Sequence, residues 1–400
     1  LTRNVSRMRI KRDHIASHKN GYNSNTIQQK YKYLRKENVA ESIKCQPCEK
    51  SLFLNVFRHI IQPAAKKIMK DSLKQRCELL VKNREIMKEG FTWENSMIFP
   101  LCAAIYAGRN MVIDPSRIKM CKEIIKQKTG FFSEFRGTAN LVLAAMLAME
   151  ADSESRFESA QYAYEVLKKE FHASPYLPLS AYMAAGMAGA NDFPGIAVKA
   201  KRLYEKMKKE HPFLTSSEDT GFAVLFALNS LSVETGIMEI EKCYQMLRQE
   251  FSAGNALQAL SHVLALGEED AAAKCQRTIA LYRKLKERGC KYGTGMELAT
   301  LGVLALSGDG TEQVTEEMVT DIAAADEYFH QNKGFGAFGI GRAQRIMYAS
   351  IMVSGEFTGQ DAGGTMNITA VNSITSIIIA EQAAIAAAVI ASTAAASSGD

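Results

Sequence analysis

The sequence lacks the local signatures by which enzymes most often declare their chemistry. It contains no Gly-x-Ser-x-Gly, no phosphate-binding P-loop and no pair of acids in a supporting context, which excludes the simplest hydrolase and nucleotide-hydrolysing readings. Histidine is scarce: the 7 residues His14, His18, His59, His172, His211, His262 and His330 form neither His-Glu-x-x-His nor a carboxylate-paired metal helix. His172 and His211 stand where charged helices are expected to end, and an imidazole there faces the favourable end of the helix dipole. No catalytic residue and no cofactor are therefore assigned from motifs. The 8 cysteines are widely scattered in a 400-residue chain whose 47% hydrophobic content builds a core without staples, so a reduced, cytoplasmic setting is expected. The opening LTRNVSRMRIKRDHIASHKNG has no apolar run of the secretory kind.

Excess positive charge is also missing from most of the chain. The net charge is +6, but residues 1–68 hold 15 Lys or Arg against 4 Asp or Glu, a net +11, and the remainder holds 34 against 39, a net −5. A nucleic-acid or anionic-membrane reading from bulk charge can apply to the leader and not to the body.

What the sequence does have is an internal repeat. Alanine-rich apolar runs recur about every forty residues, as FPLCAAIYAGR, NLVLAAMLAME, LSAYMAAGMAGA, AVLFALNS, LSHVLALGEED and LGVLALSGDG, and each is followed by a charged amphipathic helix. The charged helices repeat in register: YEVLKKEF from Tyr164, YEKMKKEH from Tyr204, YQMLRQEF from Tyr244 and YRKLKERG from Tyr282. Units of this length that cannot bury their own apolar face must stack. The small residues of the first helices suit an inner layer, and Lys and Glu on the second helices suit an outer one. Asp114-Pro115-Ser116 reads as a cap with Pro in the first turn; Pro194-Gly195 and Gly308-Asp309-Gly310 read as hairpin breaks. The register gives Cys243 the place of Leu203 and Ala163, so it and Cys275, in an Ala-rich helix, are expected to be buried.

The expected organisation is a basic, mostly unstructured leader (1–50), N-terminal helices (51–95), an αα-repeat body (96–355), and a linker with an Ala-rich apolar helix (356–400). Within 51–95, one helix is expected to end near Ile61 and another to run from Ala64 to Met87, with Leu73, Cys77, Leu80 and, at the edge of the stripe, Val81 inward and Gly90 as its stop. GFGAFGIGRAQRIMYASIMVSG (334–355) reads as a Gly-rich loop feeding the first half of a seventh unit. The fold class is all-α, an αα-hairpin solenoid of the HEAT or tetratricopeptide kind closed by an apolar C-terminal helix.

LKQRCELLVKNREIMKEGFTWE (73–94), LCAAIYAGR (101–109) and SITSIIIAEQAAIAAAVIASTAAASS (373–398) carry a resemblance to an uncharacterised all-helical family of Gram-positive bacteria, a domain of unknown function. The resemblance runs from about Met69 and implies a helical, intracellular protein. It supplies no reaction, ligand or site residue.

Four features leave alternatives open. Cys45-Gln46-Pro47-Cys48 before an apolar helix is inert, a metal pair short of two ligands, or a redox pair without the expected strand. Gly334-Phe335-Gly336-Ala337-Phe338-Gly339 matches Gly-x-Gly-x-x-Gly, but a polar helix end precedes it instead of a strand. It is an inter-repeat loop, an anion site served by Arg342 and Arg345, or a nucleotide site. Tyr164, Tyr204 and Tyr244 pack between units or line a groove that stacks on a ligand. The C-terminal segment is apolar enough to raise a membrane reading, yet Glu381 and Gln382 near its middle and its many alanines favour docking or self-association. The reading that results is a helical-repeat scaffold for a protein or peptide partner, with an enzyme site in the concave face and a membrane-peripheral scaffold as alternatives.

Overall fold

The computed structural model describes residues 69–358, apart from Met296, Ala337 and Phe338, together with Ile378. The leader and the Cys45/Cys48 motif lie outside the described residues, as does all of the C-terminal segment but Ile378. The described residues belong to a compact unit beginning at Lys67 and contain fourteen α-helices and no strand. Seven are charged and amphipathic: α1 (Asp71–Gly90), α3 (Pro115–Lys128), α5 (Ser153–Leu167), α7 (Phe193–Glu210), α9 (Val233–Leu247), α11 (Ala271–Glu287) and α13 (Glu312–His330). Seven are apolar: α2 (Phe99–Gly108), α4 (Asn140–Leu147), α6 (Leu177–Met187), α8 (Thr220–Leu228), α10 (Asn255–Ala265), α12 (Leu298–Ser307) and α14 (Arg342–Ser354).

Residue pattern sorts these helices into two layers. On α7 the buried residues Phe193, Ala197, Ala200, Leu203 and Met207 recur every three or four positions, so one stripe faces inward and the lysines face water. On α12 all ten residues are buried, and on α2 all but the last, so these helices must be enclosed by others. Small residues let them approach: a Cβ added at Gly302 of α12 would stand 2.9 Å from Leu260 and Val263 of α10. Outer helices start sharply. The Asp114 carboxylate accepts the Ser116 N–H at 2.9 Å with Pro115 in the first turn, and Asp152, Ser232, Asp270 and Thr311 cap α5, α9, α11 and α13 in the same way. Gly308 ends α12 as expected. Pro194 and Gly195 lie in the first turn of α7, where Pro is tolerated because its missing N–H had no intrahelical partner. In α1, Leu73, Cys77, Leu80 and Met87 face inward as the spacing requires, although the described helix begins at Asp71 and runs through Gly90 before the chain turns at Phe91.

Six outer helices pack most extensively on the inner helix that follows and α11 packs equally on α12 and α9, so the structural pair is outer then inner and the half-unit expected at 334–355 completes a seventh pair. The tyrosine register marks joints between neighbouring outer helices. Phe171 meets Tyr204 at 5.7 Å, His211 meets Tyr244 at 4.3 Å and Phe251 meets Tyr282 at 4.8 Å between ring centroids. The repeated tyrosines are therefore packing residues. Cys243 and Cys275 are buried on α9 and α11.

The succession does not stay open. Outer helix α13 packs on α1, and inner helix α14 packs on both α1 and α2, so seven pairs close into a double ring instead of the expected open superhelix. A polar seam runs along the closing joint. Lys70 pairs with Asp321 at 3.2 Å and Glu317 at 3.6 Å; Arg76 reaches the Met352 carbonyl at 3.3 Å and Glu356 at 3.5 Å; Ser72 donates to Glu356 at 2.6 Å. These contacts span more than 240 residues of sequence, a separation at which local pattern carries no signal.

The seam is testable by a double-mutant cycle. Arg76→Ala strips a largely buried carboxylate of its cation and should cost about 3 kcal/mol in urea unfolding. Combined with Glu356→Gln, the two losses should fall short of additivity by about 1 kcal/mol or more. Strict additivity would mean that the two ends of the succession are not joined.

Candidate functional site

Because short connections make each outer–inner pair antiparallel, all outer-to-inner loops lie at one end of the ring and all inner-to-outer loops at the other. The two ends differ in kind. Inner-to-outer connections have four to six residues, and outer-to-inner ones have seven to eleven. The short-loop end is acidic: Asp114, Glu150, Asp152, Glu268, Glu269 and Asp270 crowd it, and the caps of the outer helices account for half of them. The long-loop end receives the C-termini of the outer helices, whose last turns carry Lys88, Lys126, Lys128, Lys208, Lys209, Lys284 and Lys286. Helix dipoles favour this distribution of charge at both ends.

Aromatic exposure sets the long-loop end apart. Trp93 is 100% exposed, Phe213 97%, Phe132 95% and Phe131 80%, and all four belong to outer-to-inner loops. Phe91 is buried in the loop of Trp93 and Phe135 in that of Phe131 and Phe132, while Phe171, Phe251 and Phe335 are buried in three further outer-to-inner loops. The loops are thus held by one set of aromatics while another set stands in water.

A buried polar group lies beneath this end. In the loop before α8, the Ser216 N–H donates to the Asp219 carboxylate at 2.9 Å, and the Ser216 hydroxyl accepts the Glu218 N–H at 3.3 Å, a reciprocal cap that fixes the turn. The second carboxylate oxygen of Asp219 stands 3.5 Å from Nδ1 of His262 on α10. One turn earlier on α10, the Gln258 amide donates to the Thr215 hydroxyl at 2.8 Å. Neither nitrogen of His262 nor the Gln258 carbonyl oxygen has a hydrogen-bond partner, and the imidazole, fully buried, lies against the Phe222 ring at 5.1 Å. Burial pushes the Asp219 carboxyl up to about 7 and the His262 imidazole down to about 3. Between those limits both groups are uncharged, the carboxyl protonated and the imidazole neutral. Such orphaned atoms on one face of a helix suit a bound water or another small hydrogen-bonding molecule.

Other candidates from the sequence are engaged by protein groups. Arg345 donates to Asp326 at 2.8 Å, and Arg342 donates to the Gly289 carbonyl, so the arginines after the Gly-rich loop already have oxygen partners. Within that loop Gly334 has φ +87°, and a Cβ there would strike the Arg84 guanidinium at 2.5 Å; Phe335 stacks on Phe329 at 5.3 Å. The loop is clamped to α1 and α13 and has no strand before it. His211 ends α7 and meets Glu241 at 2.8 Å, so it joins two outer helices besides standing at a helix end. Among the described residues no three His, Cys, Asp or Glu side chains gather as a metal site.

The sequence matches the family described as a protein of unknown function, DUF4003, over residues 83–383. The chain belongs to this family. It is similar to the uncharacterized protein YeaA of Bacillus subtilis (strain 168), with 27% identity over 190 residues, 46% of this chain and 57% of that protein. The match thus spans little more than half the length of that relative. No solved structure matches the chain.

Motif reading missed both features of this end. Trp93, Phe131 and Phe132 share their loops with the buried Phe91 and Phe135, and nothing in their spacing separates the two sets. The polar pair left a faint trace in the Ser-x-x-Asp cap at Ser216–Asp219 and in one histidine inside LSHVLAL.

The pair has a pH signature. The raised Asp219 carboxyl contributes stability that is whole below about 3.8 and lost as pH rises towards 7, while the lowered His262 contributes stability that is whole above about 6.5 and lost as pH falls towards 3. Between pH 4 and 6.5 the two slopes, each about 1.4 kcal/mol per pH unit at most, oppose each other. Relative to wild type, Asp219→Asn should therefore lose stability as pH falls from 6.5 to 4.5, and His262→Met should lose it as pH rises over the same span. Urea midpoints at three pH values decide this; parallel profiles for the two variants would contradict the assignment.

Proposed function

We propose that the ring is a protein-binding module whose contact surface is its long-loop end, and that the segment it takes presents apolar side chains together with acidic ones. The observation that carries this is the placement of Trp93, Phe131, Phe132 and Phe213 in loops of one end with their rings in solvent. Exposed aromatics held by a rigid scaffold supply contact area at low entropic cost. Lys88, Lys126, Lys128 and Lys284 already pair with glutamates, and Lys208, Lys209 and Lys286 at the ends of α7 and α11 are the lysines that favour an acidic partner and would raise its association rate. This is the scaffold reading in a more restricted form, with a closed end-face in place of a long concave groove.

An enzyme is less well supported. Its strongest pair, Asp219 and His262, has an imidazole with no surface in solvent, and a general base must reach its substrate. For a membrane-peripheral role, among the described residues no helix is long and apolar enough to cross a bilayer. The six described cysteines are free and buried, which supports the reducing, cytoplasmic setting we propose.

Peptides selected from a random display library against the immobilised full-length protein should be acidic and carry aromatic or aliphatic residues. Replacing Trp93, Phe132 and Phe213 together with Ser should leave the melting temperature unchanged and weaken those peptides at least about tenfold. Raising the salt concentration should weaken them further. Selected peptides that bind the triple variant as well as wild type, or a library that yields no binder, would overturn the assignment.

A further inference from the structure

The repeat register puts Cys243 on the inward stripe of α9, between Ile240 and Leu247. Cys275 lies on the inward stripe of α11 with Ala271, Thr278 and Leu281. Neighbouring outer helices turn these stripes towards their common joint, where α9 packs on α11 and both cysteines are buried. There the two thiols meet. The Cys275 Sγ stands 3.8 Å from the Cys243 carbonyl oxygen, and the two side chains are hydrogen-bonded sulfur to sulfur. Both cysteines are free.

A cation lies beside the pair. Lys274 is fully buried; its ammonium donates to the Gly267 carbonyl at 2.8 Å and stands 3.8 Å from the Glu239 carboxylate. Glu239 sits one turn before Cys243 on α9 and pairs in turn with Lys242 at 2.9 Å, whose side chain is half exposed. Charged groups thus lead from solvent to the thiols. These surroundings separate Cys243 from the other described cysteines. Burial pushes the thiols of Cys77, Cys102, Cys121 and Cys290 up, because a thiolate loses its hydration there. The Cys243 thiol is instead drawn below its ordinary value, first by the hydrogen bond from Cys275 and, against burial, by the Lys274 ammonium. Cys275 is pushed up as the donor of that hydrogen bond. One sulfur with thiolate character beside one that keeps its proton is the division of labour between an attacking and a resolving thiol.

We propose that Cys243 and Cys275 are an oxidisable dithiol, which hydrogen peroxide converts into a disulfide clasp between α9 and α11. The Cys243 thiolate attacks one peroxide oxygen; the S–O bond forms as the O–O bond breaks, and the leaving oxygen takes up a proton and departs as water. The Cys275 sulfur then gives up its proton and attacks the sulfur of the sulfenic acid, forming the S–S bond and expelling the oxygen as a second water. The dithiol loses two electrons and the peroxide gains them. The way in for so small an oxidant is the polar rim of the joint, where Glu239 and Lys242 meet solvent. The clasp spans 32 residues and encloses α10, the helix that carries Gln258 and His262. Oxidation therefore ties down the fifth and sixth pairs together, including the helix to which the loop before α8 is bound.

The test uses the full-length protein, reduced, desalted, exposed to hydrogen peroxide under native conditions, then alkylated and digested without reductant. Mass spectrometry should find a peptide linked through Cys243 and Cys275, and dithiothreitol should restore both thiols; this arm needs no substitution. The oxidised protein should melt about 5 °C higher, as closing a loop of this length covalently predicts. In Cys275→Ser the sulfenic acid has no resolving partner, and dimedone should trap it at Cys243 at least about tenfold more than in wild type. Survival of both thiols in the native protein, or a disulfide that forms only once the protein has melted, would overturn the proposal. Conversion of wild-type Cys243 to sulfinic acid without a linked peptide would refute it as well, since that is the fate of a thiol with no partner. A linked peptide with an unchanged melting temperature would refute the clasp.

Discussion

An α-helix without a polar face has to be surrounded, and seven such helices in one chain can satisfy that demand only together. Helices α2, α4, α8, α10 and α12 are buried on essentially every side, and no outer helix can cover more than one of those sides. An open stack would leave the first and last inner helices with one flank in water. Closing the ring removes both of those flanks at once. The seam of Lys70, Arg76, Asp321 and Glu356 is the polar counterpart of that closure, because it fixes which outer helix meets α1. Apolar burial drives the circle shut, and the charged groups set its register.

Closure also assigns roles to the two ends. Tight acidic turns cap the outer helices on one side and leave little chain to vary. On the other side longer loops hold themselves down with buried phenylalanines and place Trp93, Phe131, Phe132 and Phe213 in solvent. A rigid base under adaptable loops is the arrangement by which many folds present binding residues, since loop changes there leave the core untouched. Asp219 and His262 sit under the same loops, where the Ser216 cap and the Thr215–Gln258 hydrogen bond tie the loop before α8 to α10. Their opposing responses to protons keep that tie nearly indifferent to mild acid.

How much of this was legible beforehand differs from element to element. The helix at Pro115 was legible because its cap, its proline and its apolar spacing are local facts. The burial of Cys243 followed from its register with Leu203 and Ala163, whereas the tyrosine row was open between packing and a ligand groove until Phe171 and His211 were found against Tyr204 and Tyr244. Pro194-Gly195 misled because proline breaks a helix interior and equally well begins a helix; only the position of Phe193 within the fold distinguishes the two. The Gly-rich loop matched a nucleotide fingerprint in spelling, while Arg84, Phe329 and Asp326, distant in sequence, occupy the space and the charges that such a site would use.

The sequence by itself determined that this protein is all-helical, that its helices alternate between an inner and an outer type, and roughly where each begins. Those properties follow from periodicity, capping and composition, which act over a few residues. Tertiary structure alone decided that the pairs run outer to inner, that the last pair meets the first, and that four aromatics of one end stand in solvent while their neighbours are buried. The small turn from each pair to the next accumulates over seven pairs, and whether the total reaches a full circle depends on packing distances such as the one at Gly302. No single repeat encodes that sum, so the ring is a property of all seven together.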